Sequence, residues 1–254
     1  MALIPKSHPR FQSLLIRERL VKGFDDGLVA KEGLLAHGRG EAFDYILGEK
    51  TLDTAKKAIK VAAASILLSK NPVISVNGNV AALCPKEIVE LSQASKAKIE
   101  VNLFYANKKR KQKIVKILKK NGAKEVFGIL KNNSTRLAGI DSSRRIVDKE
   151  GIFASDLVIV PLEDGDRTLA LKKAKKKVIT FDLNPLSRTA QTADISIIDN
   201  IVRGISELII ECNRLSSKKN FELEKIIRNF DNKKNLSRNV IEIKSNLTRR
   251  AKNA

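Results

Sequence analysis

Between residues 52 and 215 the chain alternates short β-branched apolar runs with helix-like stretches, and this alternation constrains its fold most. Pro72 to Val76, Ile99 to Tyr105, Asp156 to Val160, Val178 to Phe181 and Ile195 to Ile198 read as strands. They are almost wholly apolar, as strands covered on both faces must be, and so predict a parallel sheet rather than a half-solvated one. Helical patterns fall between them, at about residues 52–69, 85–95, 108–119, 168–175 and 201–215. Alternation of this kind predicts an α/β fold with a doubly wound, mostly parallel sheet. Residues 1–50 read as an N-terminal helical element beside it, so that 1–216 form one domain.

In open α/β sheets ligands bind at the carboxyl ends of the strands. Here those ends are polar. Asn77-Gly78-Asn79 follows the first run, Glu163-Asp164-Gly165-Asp166-Arg167 the third, and Asp182-Leu183-Asn184-Pro185-Leu186-Ser187-Arg188-Thr189 the fourth. Asp182 can accept ribose hydroxyls and Arg188 can pair with phosphate oxygens, although a merely polar loop would read the same way. Asn77-Gly78 is equally a simple turn signal, with Asn77 and Asn79 as ligand-edge candidates. Asp199-Asn200 can cap the helix that opens at Ile201.

Before the sheet, Ser7-His8-Pro9 can start a helix carrying Phe11, Leu14, Leu15 and Val21, with Gly23 as its stop. Arg10 and Arg17 share one face of it, and a solvated face is the plain alternative. His37-Gly38-Arg39-Gly40-Glu41 reads as a functional loop in which the glycines let the backbone turn sharply at Arg39. Gly40-Glu41 would then open a short helix with its amides free for an anion. His37 is a candidate acid or base, or a structural turn residue. No strand precedes this stretch and a third glycine is missing, so it is not a dinucleotide-binding loop. Thr51 is expected to cap the alanine-rich helix after it.

The formal charge of +21 over 254 residues points toward a polyanionic partner, or simply a lysine-rich surface. The basic helix at 108–119 has an apolar stripe (Ile114, Ile117, Leu118) and reads as a solvated outer helix. An aromatic content of 4% without tryptophan leaves few stacking platforms, which argues against nucleic acid; a basic nucleic-acid-binding protein on an α/β scaffold remains the alternative reading. Residues 217–254 hold 11 lysines or arginines against 4 acids. Phe221, Leu223, Ile226, Ile227 and Phe230 suit an amphipathic helix there, and a loosely ordered basic tail is expected from Asn232 onward. Leu130 to Gly151 is the longest irregular stretch, and its Arg144 and Arg145 are candidate anion-binding residues. Cys84 and Cys212 lack metal-like spacing and read as reduced, buried thiols. The start resembles no signal peptide and no apolar run is long enough to span a membrane, so a cytoplasmic protein is expected.

Five blocks carry a resemblance: Ile4 to Arg10, His37 to Tyr45, Val73 to Leu83, Val160 to Thr168, and Asp182 to Ala193. Together they resemble the archaeal phosphopantothenate synthetases, also called 4-phosphopantoate–β-alanine ligases, over roughly residues 4–215; the tail after about 217 departs from that pattern. The resemblance implies a Rossmann-like, homodimeric enzyme of coenzyme A biosynthesis. It would join 4-phosphopantoate to β-alanine using ATP with Mg²⁺, releasing AMP and diphosphate through an acyl-adenylate. The ATP contacts it implies are Arg17, Arg39, Asp182, Leu183, Asn184, Arg188, Thr189, Asn200 and Ile201. Arg17 and Arg39 would stabilise charge at the α-phosphorus, and His37 would take the amine proton. Asn77, Asn79, Arg144 and Arg145 are left for the other substrates. Glu163, Asp164 or Asp166 could hold the metal, and the sequence does not choose among them.

Overall fold

A computed structural model describes residues 4–129 and 131–252. Leu130, at the head of the stretch expected to be irregular, lies outside the described residues, as do residues 1–3 and 253–254. Seven strands form among the described residues: β1 (Pro72–Val76), β2 (Lys98–Val101), β3 (Ser134–Arg136), β4 (Ile146–Asp148), β5 (Leu157–Ile159), β6 (Lys177–Asp182) and β7 (Ile195–Ile198). Five of them make one sheet in the order β2-β1-β5-β6-β7, and every pairing in it is parallel. The helices are α1 (Phe11–Asp25), α2 (Lys31–Leu47), α3 (Asp53–Leu68), α4 (Gly78–Leu83), α5 (Pro85–Ser95), α6 (Lys108–Lys120), α7 (Gly165–Lys173), α8 (Arg188–Thr192), α9 (Ile201–Leu215), α10 (Asn220–Arg228) and α11 (Asn232–Lys252). No described helix is long and apolar enough to cross a membrane.

Successive residues of each strand point to opposite faces, which explains why these strands are apolar throughout. Ile74, Val76, Ile99, Val101, Ile159, Ile179 and Phe181 join one core with α3, α5 and α9. Val73, Val158, Val160 and Val178 join a second with Leu171 of α7 and Val147 of β4. Both faces are covered, so the doubly wound reading holds. Chain order reverses between β1 and β5, which makes the carboxyl ends of those two strands the topological switch point.

Several local expectations change. Ser7 does not cap α1, which begins after Arg10 with no side-chain cap. Gly23 does not end that helix but is buried within it, where an added Cβ would lie 2.6 Å from Ala82 Cβ. Thr51 caps nothing; its hydroxyl donates instead to Asp199 Oδ2 at 2.7 Å. The run at Ile99 pairs only as far as Val101, and Phe104 and Tyr105 turn outward. The stretch expected to be irregular contains the antiparallel β3–β4 hairpin and a 3-10 turn at Ser143–Arg145.

The largest difference is at the carboxyl end. From Asn232 the chain forms a 21-residue helix rather than a loose tail. Charge content suggested solvation, but asparagines spaced along one side of α11 give it a docking face. Asn232 accepts from Ser196 N at 2.9 Å and donates to Ala193 O at 3.0 Å, closing the open edge of β7. Asn235 donates to Thr54 O, and Asn239 accepts from the Thr54 hydroxyl at 2.8 Å. Asn246 donates to the carbonyls of Ile46 and Leu47, two of the groups that the end of α2 leaves unpaired. Leu236 completes an apolar cluster with Leu47, Leu52, Leu183 and Ile198. Cys84 and Cys212 are free and buried as expected, and burial pushes the Cys212 thiol up to about 12.

Candidate functional site

At the switch point two lobes of about 410 Å³ and 360 Å³ open side by side. They share a wall made of Ala36, Arg39, Asn79, Leu162 and Glu163. The first lobe continues over Asn77, Leu103, Phe104, Tyr105, Arg110, Arg144 and Asp164. The second continues over His37, Gly40, Phe43, Asp182, Leu183, Asn184 and Ser187.

The His37-Gly-Arg-Gly-Glu stretch is not a loop. It lies in the middle of α2, so the Gly40 amide is spent inside the helix and opens no anion cradle. The glycines serve close approach instead. A Cβ on Gly33 would meet Asn79 Oδ1 at 2.4 Å, and one on Gly40 would meet Leu183 Cδ1 at 3.4 Å. With bare backbone at these points α2 lies against both strand ends, and Arg39 and His37 reach the lobes from it. Arg39 is exposed and has no hydrogen-bond or ion-pair partner among the described residues. Burial pushes the His37 pKa down, opposed by Glu41 and assisted by Arg17.

Asn77 holds the floor. Its Oδ1 caps α4 by accepting from Val80 N at 3.1 Å, and its amide donates to Pro161 O at 3.0 Å and Leu162 O at 3.1 Å. Leu162 is thereby fixed at φ +52°, a backbone region costly for a branched side chain, on the wall common to both lobes. Beneath it Glu163 is buried between Arg144 and Arg167. Asp164 caps α7 through Arg167 N at 2.9 Å and pairs with Arg144 Nη1 at 3.0 Å. Burial, reinforced by the neighbouring Arg167 charge, brings Arg144 down to about 10. In the second lobe Asp182 accepts from Asn184 N at 2.9 Å and from the Ser187 hydroxyl. Burial raises its pKa against those hydrogen bonds.

The sequence candidates therefore separate. His37, Arg39, Asp182, Leu183 and Asn184 meet in the second lobe, and Asn77, Asn79 and Arg144 in the first. Arg17 lines neither; its guanidinium is held by Glu41, with Nε 2.9 Å from Oε2. Arg188 pairs with Asp166 at 2.5 Å on an exposed surface, and the Thr189 hydroxyl donates to Glu163 O at 2.8 Å. Asn200 caps α9 and donates to Asp44 Oδ2 at 3.0 Å, Ile201 is buried in the core, and Arg145 lines neither lobe. Leu162 and Arg110 were not singled out beforehand, and Arg167 was read only as part of the polar strand end. Arg110 looked like any basic helix residue, and no residue type announces a positive φ.

Glu163 and Asp164 are committed to arginines and Asp166 to Arg188, and the described residues contain no cluster of three possible metal ligands. These carboxylates do not fit a protein-held metal site.

Comparison with known proteins bears on the same residues. The profile of the family described as phosphopantothenate/pantothenate synthetase matches residues 54–246. A 4-phosphopantoate–β-alanine ligase of Thermococcus kodakarensis is 49% identical over 252 residues, covering 99% of this chain and 96% of the relative. One from Methanosarcina mazei is 46% identical over 247 residues, covering 97% and 96%. One from Methanospirillum hungatei is 48% identical over 213 residues, covering 84% and 86%. The likeness does not stop near residue 217 as expected, because α10 and most of α11 fall inside the family match.

Proposed function

This chain belongs to the phosphopantothenate/pantothenate synthetase family, and on that premise we infer that it is a 4-phosphopantoate–β-alanine ligase using ATP. The observation that carries the reading is the paired cleft, two lobes at the switch point with Arg39 on their common wall. A ligase of this kind must bring a carboxylate to a nucleotide phosphorus, which calls for two adjoining sites and a cation between them.

The second lobe takes ATP, with Asp182 accepting from the ribose and Leu183 and Asn184 beside it. Arg188, Thr189, Asn200 and Ile201, set around the ends of β6 and β7, support that lobe from behind. The first lobe takes 4-phosphopantoate over Asn77, Asn79 and Arg144, with Arg145 behind them. A carboxylate oxygen of the acid attacks the α-phosphorus, the bond to the β-phosphate oxygen breaks, and diphosphate leaves. Arg39 stabilises the charge that builds there, and Arg17 acts there only if ATP draws it from its ion pair with Glu41. The β-alanine nitrogen then attacks the acyl carbon, AMP leaves, and the amine proton passes to a base. His37 suits that step because burial keeps its imidazole neutral near pH 7. Mg²⁺ enters as a companion of the ATP phosphates, since the nearby carboxylates are taken up by arginines.

We place the reaction in coenzyme A biosynthesis in the cytoplasm and the working form as a homodimer. Residues 1–216 form the ligase body, and 217–254 a basic extension that braces it. Incubation with ATP, Mg²⁺, 4-phosphopantoate and β-alanine tests the reading. AMP and phosphopantothenate are expected in equal amounts. ADP in place of AMP would replace the adenylate with an acyl-phosphate, and absence of turnover in folded protein would remove the ligase.

A further inference from the structure

The first turn of α6 reads Lys108-Lys109-Arg110-Lys111, with no acidic residue. Cations at a helix amino terminus oppose the macrodipole, and anions are favoured there. Lys108 and Lys109 are exposed and Lys111 donates to the Gly128 carbonyl, whereas Arg110 lines the first lobe. Its Nη1 donates to Tyr105 O at 2.9 Å, its backbone amide donates to the capping Asn107 Oδ1 at 2.7 Å, and its Nε is buried without a partner. No carboxylate pairs with it among the described residues.

The other charges of this lobe are spoken for, or lie elsewhere. Arg144 is 7% exposed and pairs with Glu163 and Asp164, so surrendering it to an anion would leave Asp164 uncompensated and Glu163 with Arg167 alone. Arg39 stands on the wall shared with the second lobe. Glu32, exposed in the first turn of α2, is the lining carboxylate with no arginine partner among the described residues. The apolar part of the lining includes Leu28, Ala30, Leu103 and Phe104.

A phosphorylated hydroxy acid carries the same three kinds of chemistry. Its carboxylate must face the nucleotide at the shared wall, its gem-dimethyl carbon wants apolar contact, and its phosphate lies at the far end. We propose that Arg110, at the amino terminus of α6, binds the phosphate of the acid substrate and is the residue that selects the phosphorylated acid over the free hydroxy acid. The assignment rests on the ligase reading above and extends it to the choice of substrate. Arg144 is then a positioning residue, holding Glu163 and Asp164 away from the incoming dianion.

The test compares kcat/KM for 4-phosphopantoate with kcat/KM for pantoate in wild type, Arg110→Gln and Arg110→Lys. A lost charge-assisted contact is worth about 1.5–3 kcal/mol, roughly a 10- to 100-fold change. The ratio should fall by that factor in Arg110→Gln, recover in part in Arg110→Lys, and leave KM for ATP unmoved. The inhibition constant of inorganic phosphate against 4-phosphopantoate should rise by a similar factor. Lys119→Gln, which removes one charge from the far end of the same helix, should change neither. If Arg110→Gln does not fold, Arg110→Lys carries the same comparison. An unchanged ratio and inhibition constant in an active variant would overturn the assignment alone. A wild-type protein that binds ATP but forms no phosphopantothenate would overturn the ligase reading first, and this with it.

Discussion

The side-chain amide of Asn79 donates to the Gly33 carbonyl at 2.9 Å, and a methyl group on Gly33 would stand 2.4 Å from Asn79 Oδ1. The two residues tie α2 to α4 across the mouth of the cleft, and there is no room between them for a side chain. Gly33→Ala must therefore push aside the flexible end of Asn79. Such a shift costs little stability but displaces a residue of the shared wall. We expect kcat/KM to fall by about 10²-fold with the melting temperature within a few degrees of wild type, measured by steady-state kinetics beside a thermal scan.

Arg39 gives the opposite balance of risk. It is exposed and unpaired among the described residues, so its removal leaves no buried charge behind. Arg39→Gln should keep the fold and lower kcat by about 10²–10³-fold, the usual cost of losing one group that stabilises transition-state charge. An unchanged rate of adenylate formation, followed by diphosphate exchange, would remove it from that role.

His37 should set the acid limb of the pH profile. Burial lowers its pKa, so the neutral, proton-accepting form persists to a pH below the ordinary histidine value of 6.5. The limb in kcat/KM for β-alanine is expected below that value and should vanish in His37→Gln. Diphosphate exchange, which precedes the amine, should survive in the variant. If amide formation in His37→Gln keeps its wild-type rate and pH profile, the base lies elsewhere.

Glu100 supplies a stability prediction away from the chemistry. It is buried in β2, accepts from Asp148 N at 3.1 Å and Ile152 N at 2.6 Å, and burial pushes its carboxyl up to about 7. A carboxyl raised in the folded state stabilises the protein fully below its unfolded value, and that contribution is lost as pH rises through the folded one. Between pH 4.5 and pH 7 the wild type should lose on the order of 3 kcal/mol relative to Glu100→Gln. Denaturant unfolding of both proteins across that range measures it, and parallel pH dependences would contradict it.

The carboxyl-terminal helix should matter to the nucleotide lobe. Leu236 packs in the cluster that holds Leu183, a lining residue. Leu236→Ala is expected to cost about 2–5 kcal/mol, as core leucine truncations do. In the folded fraction it should also weaken ATP binding, read by calorimetry.

The sheet was legible because burial on both faces writes itself into unbroken apolar runs, and α5 and α9 begin and end where proline, asparagine and the apolar period place them. The nucleotide lobe was legible in part, since Asp182 and Asn184 follow a strand that could be recognised. Two things were not. Glycines in α2 looked like a loop because local propensity favours one, whereas the packing of α2 on Asn79 and Leu183 uses them for contact. In α11 the asparagines looked solvated because their partners lie about 36 to 200 residues away in sequence, where no window of the chain can see them.

That separation also orders events during synthesis. Asn246 completes the end of α2 by bonding to Ile46, 200 residues earlier in the chain. At roughly 5–20 residues per second a ribosome needs about 10 s or more to supply it. Until then the carbonyls at the end of α2 await their partner, and Leu47, Leu52 and Leu183 lack the cover of Leu236. A nascent chain can therefore build its sheet while its nucleotide lobe is still unfinished, and competence arrives only once α11 has been made.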